Sequence, residues 1–377
     1  MTDIIHISPS YKPAYIYGGP TLSVSRLAEV LNEAMHSVEV ITTSANGAQE
    51  LDVLLGKPQI IDGVKCTYFL RWTKDHSHFS PALLWVFYWN IRKSKTIHIH
   101  SWWNLVTIPA VFLCRLRGIR PILSPRGMLS PYTFKSPVKR LFHHFIGRWL
   151  LKGTVLHATS TQEAQEALTL IPNWPHFILP NIIELPALGA YSPTTAKKDH
   201  FSMIFLSRIH PKKGLETLFE ALSSVDFSWR LQIVGEGEES YVSLLKNLAR
   251  EYSITDRIDW LGWRNGSEKF QLLADADLFV LPSQNENFAN VVLESLAVGT
   301  PVILSDQVGL SEYVIKQNFG WVYSGGSTEL AQQLHLAWND QNRCEAIRSE
   351  APLQVHTDFG ADTLAQQYLA AYQEYTQ

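Results

Sequence analysis

The sequence predicts an α/β protein made of two doubly wound, Rossmann-like domains. Three observations carry this. A chain of 377 residues is too long for one ordinary hydrophobic core. Short apolar runs alternate with helical patterns along nearly all of it, as in parallel sheets joined by crossover helices. That alternation breaks once, near residues 179–200, and then resumes.

The elements follow in order. Asp3-Ile-Ile-His-Ile-Ser8 is a buried strand pattern, and Gly18-Gly19 opens a helix over residues 21–35. Strands are expected at 37–42, 96–100 and 120–124, the last two each after a helical segment. Residues 187–200 carry Pro, Thr, Lys and Gly without periodicity and read as the inter-domain linker. Further strands are expected at 203–207, 230–234, 258–261, 278–281 and 301–304, and a last helix over 362–376. The expected division is 1–186, 187–360 and a terminal segment 361–377.

Hydrophobic residues at 46% and charged residues at 18% describe a soluble globular chain. Its three cysteines, Cys66, Cys114 and Cys344, are scattered and odd in number, which fits a reducing compartment without a disulfide framework. Met-Thr-Asp-Ile-Ile-His at the start has no basic region followed by a long apolar run, so no signal peptide is expected. The apolar runs are too short for a membrane span.

The formal charge of −3 hides an asymmetry. Up to residue 185 there are 18 Lys+Arg and 11 Asp+Glu, a net of +7; the remainder has 14 and 24, a net of −10. From His76 to Gln162 there is no acid and there are 12 Lys+Arg. Such a basic face can attract nucleic acid, anionic lipid or a phosphorylated substrate.

Two segments carry chemistry. In Phe201-Ser-Met-Ile-Phe-Leu-Ser-Arg208-Ile-His-Pro-Lys-Lys213-Gly214, a strand ends in a cationic loop. Arg208 offers a planar fork to a diphosphate and Lys213 a point charge. In Pro282-Ser-Gln-Asn-Glu-Asn-Phe-Ala-Asn-Val-Val-Leu-Glu294, a strand runs through a polar loop into a helix expected near Asn287. Glu286 and Glu294 lie eight residues apart, about 800° of helix, so both can border one crevice above the strand end. The helix start brings backbone N–H groups suited to phosphate.

Arg-x4-Lys-Gly followed by Glu-x7-Glu resembles the donor-site signature of retaining family-4 glycosyltransferases of the GT-B fold, of the type that builds bacterial polysaccharides. Further matches are Gly18-Gly19-Pro20, Ser124-Pro-Arg-Gly-Met-Leu129, His157-Ala-Thr-Ser160, Ile233-Val-Gly-Glu-Gly237, Trp260-Leu-Gly262 and Ala297-Val-Gly-Thr-Pro-Val302. Their order and spacing are more specific than any one of them. The resemblance implies two Rossmann-like domains facing each other across a cleft. It implies an N-terminal acceptor-binding domain and a C-terminal nucleotide-sugar-binding domain, with the last helix crossing back. Glu294 would hold ribose hydroxyls, and Glu286 the donor sugar. Asn290 and Val291 would offer N–H groups to the diphosphate. Gly18 and Gly19 would let backbone approach it from the other domain. Ala289 stands where the family often has glycine. Arg126 falls where many members have a histidine, and is a candidate contact to the donor sugar or the acceptor. His100, at a strand end, is another, with a satisfied structural histidine as the plain reading.

Residues 134–152 form a helical pattern from Pro137 on. Val138, Leu141, Phe142, Phe145, Trp149 and Leu150 share one side, with Lys139, Arg140, His143 and Lys152 off it. The plain reading packs the apolar side on the sheet; the sharper one lays the helix on an anionic membrane. Asp275-Ala-Asp277 spells a metal motif of another glycosyltransferase fold, but its place at a helix end before a strand points to capping and packing. No histidine or cysteine group has zinc spacing, and His98-x-His100 lacks a sequence partner.

The expected activity is retaining, hexosyltransferase-type transfer from a nucleotide-diphosphate sugar to a glycan or lipid-linked acceptor. It would use no metal and no other cofactor. The expected place is the cytoplasm, peripheral to the inner membrane face, and nucleic acid is not an expected partner. The alternatives are a GT-B nucleotide-sugar epimerase and a non-catalytic nucleotide-sugar-binding scaffold.

Overall fold

A computed structural model describes residues 2–91, 94–131, 133–194 and 199–376, so 195–198 of the expected linker lie outside the described residues. The chain forms two units, Met1–Glu184 with Phe359–Gln377, and Leu185–Asp358.

Among the described residues the first unit holds ten strands: β1 (Thr2–Ile7), β2 (Val38–Thr43), β3 (Ala45–Asn46), β4 (Gln49–Glu50), β5 (Pro58–Ile61), β6 (Val64–Phe69), β7 (Ser94–His100), β8 (Ile122–Ser124), β9 (Val155–Ala158) and β10 (His176–Ile178). Between them run the helices α1 (Gly19–Glu33), α2 (Pro81–Asn90), α3 (Thr107–Leu116), α4 (Pro137–Phe142), α5 (Arg148–Leu151) and α6 (Thr161–Leu170). The main sheet runs β10-β9-β8-β7-β1-β2-β6-β5. Neighbours are parallel except β5 against β6, an antiparallel edge that the alternation did not show. The central strands are buried on both faces, which is why they read as apolar runs. Ser160 caps α6 by accepting from the Glu163 N–H at 3.2 Å.

Among the described residues the second unit has six strands: β11 (Phe201–Leu206), β12 (Trp229–Val234), β13 (Ile258–Gly262), β14 (Leu278–Leu281), β15 (Val302–Ser305) and β16 (Gly320–Tyr323). Its helices are α7 (Leu215–Ser224), α8 (Glu239–Glu251), α9 (Gly266–Asp275), α10 (Asn290–Ala297), α11 (Ser311–Gln317), α12 (Ser327–Asn339) and α13 (Gln341–Phe359). The all-parallel order β13-β12-β11-β14-β15-β16 reverses direction between β11 and β14. A crevice opens at such a switch point, outside the strand ends. In α7, Leu215, Leu218, Phe219 and Leu222 recur at helical spacing and are buried against the sheet.

The chain ends in α14 (Ala361–Thr376), which belongs to the first unit. Tyr368 donates to the Pro180 carbonyl at 2.9 Å, and Tyr375 to that of His176 at 3.0 Å.

Asp275 and Asp277 do packing work. Asp275 accepts from the N–H and hydroxyl of Thr194, and Asp277 from the Ser202 N–H at 2.8 Å.

Candidate active site

The two chemical segments of the second unit leave adjacent strands at the switch point. Arg208, Lys213 and Gly214 follow β11; Glu286 and Asn290 follow β14. Close backbone contact holds the two loops together. Gly214 has φ +72°, and a Cβ there would lie 2.1 Å from the Pro282 carbonyl oxygen. The Gln284 N–H donates to the Lys212 carbonyl at 2.9 Å.

The Gly-Glu-Gly run after β12 supports the cationic loop from its other side. Added Cβ atoms on Gly235 and Gly237 would meet the Ser207 and Ile209 carbonyl oxygens at 1.9 and 2.1 Å. The Ile209 N–H donates to the Glu236 carbonyl at 2.7 Å. These glycines permit close approach and thereby fix where Arg208 leaves the sheet.

Among the described residues Arg208 is exposed and makes no ion pair. Lys213 pairs with the Glu286 carboxylate. The field of this loop is felt by His210, whose imidazole is held below its ordinary value by burial, then by Arg208, Lys212 and Lys213. Glu286 is pinned through its backbone: its N–H donates to the Gln307 carbonyl at 2.9 Å, and its carbonyl accepts from the Gly309 N–H at 2.8 Å. Helix α10 opens at Asn290, three residues later than expected, because Asn287 and Phe288 remain in the loop. Its cap, Ala289, sits at φ +68°, ψ +73°, a left-handed conformation that glycine adopts without strain. That is the physical meaning of the glycine expected there.

Glu294 lies in α10 and pairs with Lys269 of α9 at 2.9 Å, both largely buried. Sequence reasoning missed Lys269 and the 307–309 loop. Neither lies in a motif; Lys269 sits on the polar side of a helix distant in sequence.

In the first unit, Gly18 caps α1 at φ +67° and Gly19 begins it. His100 and Arg126 are brought together at the ends of β7 and β8. Arg126, half-buried and itself at φ +56°, donates to the Ser23 hydroxyl at 2.9 Å and to the Asn181 side chain. Its other terminal nitrogen lies 3.4 Å from His100 Nδ1. Glu163 spends its carboxylate on the N–H groups of Gly127 and Thr159, each at 2.7 Å.

Below Arg126 lies a buried network that the sequence did not reveal. The Leu179 carbonyl can only accept, so His157 donates to it from Nε2 at 2.9 Å. His157 Nδ1 then accepts from the Ser124 hydroxyl, whose oxygen accepts from His98 Nε2 at 2.6 Å. His98 Nδ1 in turn accepts from Tyr372 at 2.7 Å. His6 and His100 share a hydrogen bond of 2.8 Å. Burial, then Arg126, holds His6 and His157 down to about 3. Burial likewise pushes His98 and His100 well below the usual range. His6, His98 and His100 bring one nitrogen each within 4.8 Å, so the fold supplies the partner that His98-x-His100 lacks in sequence. Yet both His98 nitrogens are engaged, and the Arg126 guanidinium beside them repels a cation. The donor set fits a neutral hydrogen-bonded network better than a metal centre.

The 134–152 segment departs from its plain reading. Its helix is α4, then a π-helical turn over His143–Gly147, then α5. The wider turn changes the helical phase. Leu150 packs inward, whereas Val138, Leu141, Phe145 and Trp149 are exposed, Val138 and Phe145 by 74% and 70%. The side chain of Lys135 lies outside the described residues. Phe112 of α3 stands against Trp149, ring centroids 6.3 Å apart, and Trp85 and Trp89 of α2 are also exposed. No helix among the described residues is long and apolar enough to cross a membrane.

Residues 18–181 match the glycosyl transferase 4-like domain, and residues 192–354 match glycosyl transferases group 1. The chain is 23% identical over 375 residues to an uncharacterized glycosyltransferase of Methanocaldococcus jannaschii, covering 96% of this chain and 95% of that one. It is 36% identical over 104 residues to the lipopolysaccharide core biosynthesis glycosyltransferase of Rhizobium meliloti, covering 28% and 29%. Among solved structures, HepE of Anabaena in complex with UDP and glucose is similar at a TM-score of 0.75 and 19% identity, over 99% of this chain and 100% of that one.

Proposed function

This chain is a two-domain glycosyltransferase of the GT-B fold, and we propose that it moves a hexose from a nucleotide-diphosphate sugar to a hydroxyl with retention at the anomeric carbon. The acceptor would be a glycan or lipid-linked sugar of a bacterial surface polysaccharide, extended at the cytoplasmic membrane face. One observation carries the donor reading. Exposed Arg208, the Lys213–Glu286 pair and the start of α10 meet at the switch point of the second unit. Cations and helix N–H groups aimed at a diphosphate stabilise the charge that develops as it departs. Glu286 would orient the sugar and Glu294 the ribose. With Arg and Lys carrying that charge, the transfer needs no metal ion. The first unit would bind the acceptor, with His100 and Arg126 at its strand ends, and its Gly18-Gly19 turn would offer backbone to the donor phosphate. The R. meliloti relative named for lipopolysaccharide core biosynthesis supports the polysaccharide setting.

A thermal-shift panel of nucleotide sugars tests this. The true donor at a hundred times its dissociation constant adds about 2.7 kcal/mol of stability. Product analysis with and without acceptor then separates transfer from epimerisation, and the anomeric proton coupling reports retention. No stabilisation by any nucleotide sugar would sink the donor reading. An inverted product would sink retention. Loss of activity in EDTA, restored by Mn²⁺, would sink the metal-free mechanism.

A further inference from the structure

Arg126 makes no ion pair among the described residues, although the first unit buries much of it. It follows β8, at the carboxyl end of the sheet, where α/β domains bind ligands. Its backbone is left-handed at φ +56°, and so is that of Gly127 at φ +74°. The loop is pinned beside it. The Gly127 N–H donates to Glu163 at 2.7 Å, and the Met128 carbonyl accepts from the Trp103 indole at 2.7 Å.

A guanidinium carries a permanent charge and five N–H donors. Nη1 donates to the Ser23 hydroxyl at 2.9 Å and to the Asn181 side chain. Nη2 reaches only His100 Nδ1 among the described residues, at 3.4 Å, a long contact. Nε is sealed in without a partner. These partners are all uncharged, since burial keeps His100 neutral. Glu163 offsets the charge only from a distance, because its carboxylate is taken by the N–H groups of Gly127 and Thr159. The segment from His76 to Gln162 brings no acid at all. A buried charge without a counter-charge is costly, and a neutral side chain would fill the same place more stably. The arrangement is explained when the missing negative charge arrives with a ligand.

We propose that Arg126 selects an acidic sugar: the acceptor carries an oxyanion that binds the Nη2 edge of Arg126 in place of its long contact to His100. The inference rests on the reading of the first unit as the acceptor-binding domain. Two groups share the chemistry, a sugar carboxylate and a sugar phosphate ester. Either supplies a charge-assisted hydrogen bond together with the counter-charge, which a neutral hydroxyl does not.

Saturation-transfer NMR titrations of the full chain test it, with methyl glucuronide, glucose 6-phosphate and methyl glucoside as probes. At least one acidic probe should bind tenfold or more tighter than methyl glucoside. Preference for the glucuronide assigns a carboxylate, and preference for the phosphate a phosphate ester. Arg126→Gln should erase the preference, and Arg126→Lys should keep part of it. Arg208→Ala with Lys213→Ala should leave it intact, because those cations lie in the other unit. Equal binding of acidic and neutral probes overturns the proposal. So does a preference that survives Arg126→Gln, or one that is lost with Arg208 and Lys213. Urea unfolding gives a second readout. Arg126→Gln should unfold at a higher midpoint than Arg126→Lys, because both lose the planar fork and only lysine keeps the uncompensated charge. The reverse order would show that the protein itself balances the charge, and overturns the premise. The panel of nucleotide sugars is run in parallel. No thermal shift with any of them, beside an intact Arg126-dependent preference, would fail the donor reading and leave this one standing.

Discussion

Lys213 and Glu286, 73 residues apart in sequence, form an ion pair that joins the loop after β11 to the loop after β14. The pair keeps a cation at the switch point while its charge is locally balanced. A departing diphosphate would add the negative charge that draws Lys213 away.

The first prediction follows. Ala at Arg208 or at Lys213 should lower turnover about 10²-fold or more, with circular dichroism unchanged. Glu286→Gln should lower turnover and leave affinity for the donor's nucleotide diphosphate intact, because it would remove the proposed sugar contact and free Lys213. Turnover within twofold of the unaltered protein in both cation variants would exclude them from the chemistry.

Gly214 and Ala289 share a left-handed backbone but predict opposite outcomes. Gly214→Ala puts a Cβ into the Pro282 carbonyl, so it should cost well over the roughly 1 kcal/mol of the conformation itself and weaken binding of the donor's nucleotide diphosphate. Ala289→Gly relieves roughly 1–2 kcal/mol of left-handed strain against about 0.4–1 kcal/mol of extra unfolded-chain entropy. Urea unfolding should find it neutral to about 1 kcal/mol more stable. A marked loss would mean that residue 289 is not left-handed in solution.

The buried histidines predict a pH dependence. Unfolded histidine titrates near 6.5, whereas folded His6 and His157 titrate near 3. Between those values the unfolded chain binds more protons, so stability is full above about 6.5 and falls as pH drops toward 3. Each such group contributes up to about 1.4 kcal/mol per pH unit within that window. Unfolding free energy should therefore drop by several kcal/mol from pH 7.5 to 5.0, and less steeply in His157→Gln. A flat profile would show that the network holds charge in the folded state.

Exposure on α4 and the π turn predicts a split between stability and binding. Leu141→Ser with Phe145→Ser should change unfolding free energy by less than about 0.5 kcal/mol each, since neither packs in the core. The same pair should cut binding to anionic vesicles about tenfold. A loss of 2 kcal/mol or more would mean that this face is covered by protein.

Much of this protein is readable along the chain. Short apolar runs such as Val302-Ile303-Leu304, alternating with helical patterns, read as buried parallel strands joined by crossovers. Arg208-x4-Lys213-Gly214 and Glu286-x7-Glu294 mark a candidate phosphate site because each sits where a strand ends, and the family resemblance adds the expected sugar contact. Local chemistry writes such features into local sequence. Other features depend on residues far apart. Nothing near His6 or Tyr372 foretells that they meet His100 and His98, because strand order and the return of α14 decide it. Lys269 meets Glu294 only because α9 packs on α10. The apolar side of 137–150 was legible, but its direction was not. Val138 and Leu141 are exposed before the π turn of His143–Gly147, and Trp149 after it. Periodicity says which residues share a face; only packing decides whether that face meets the core or the solvent.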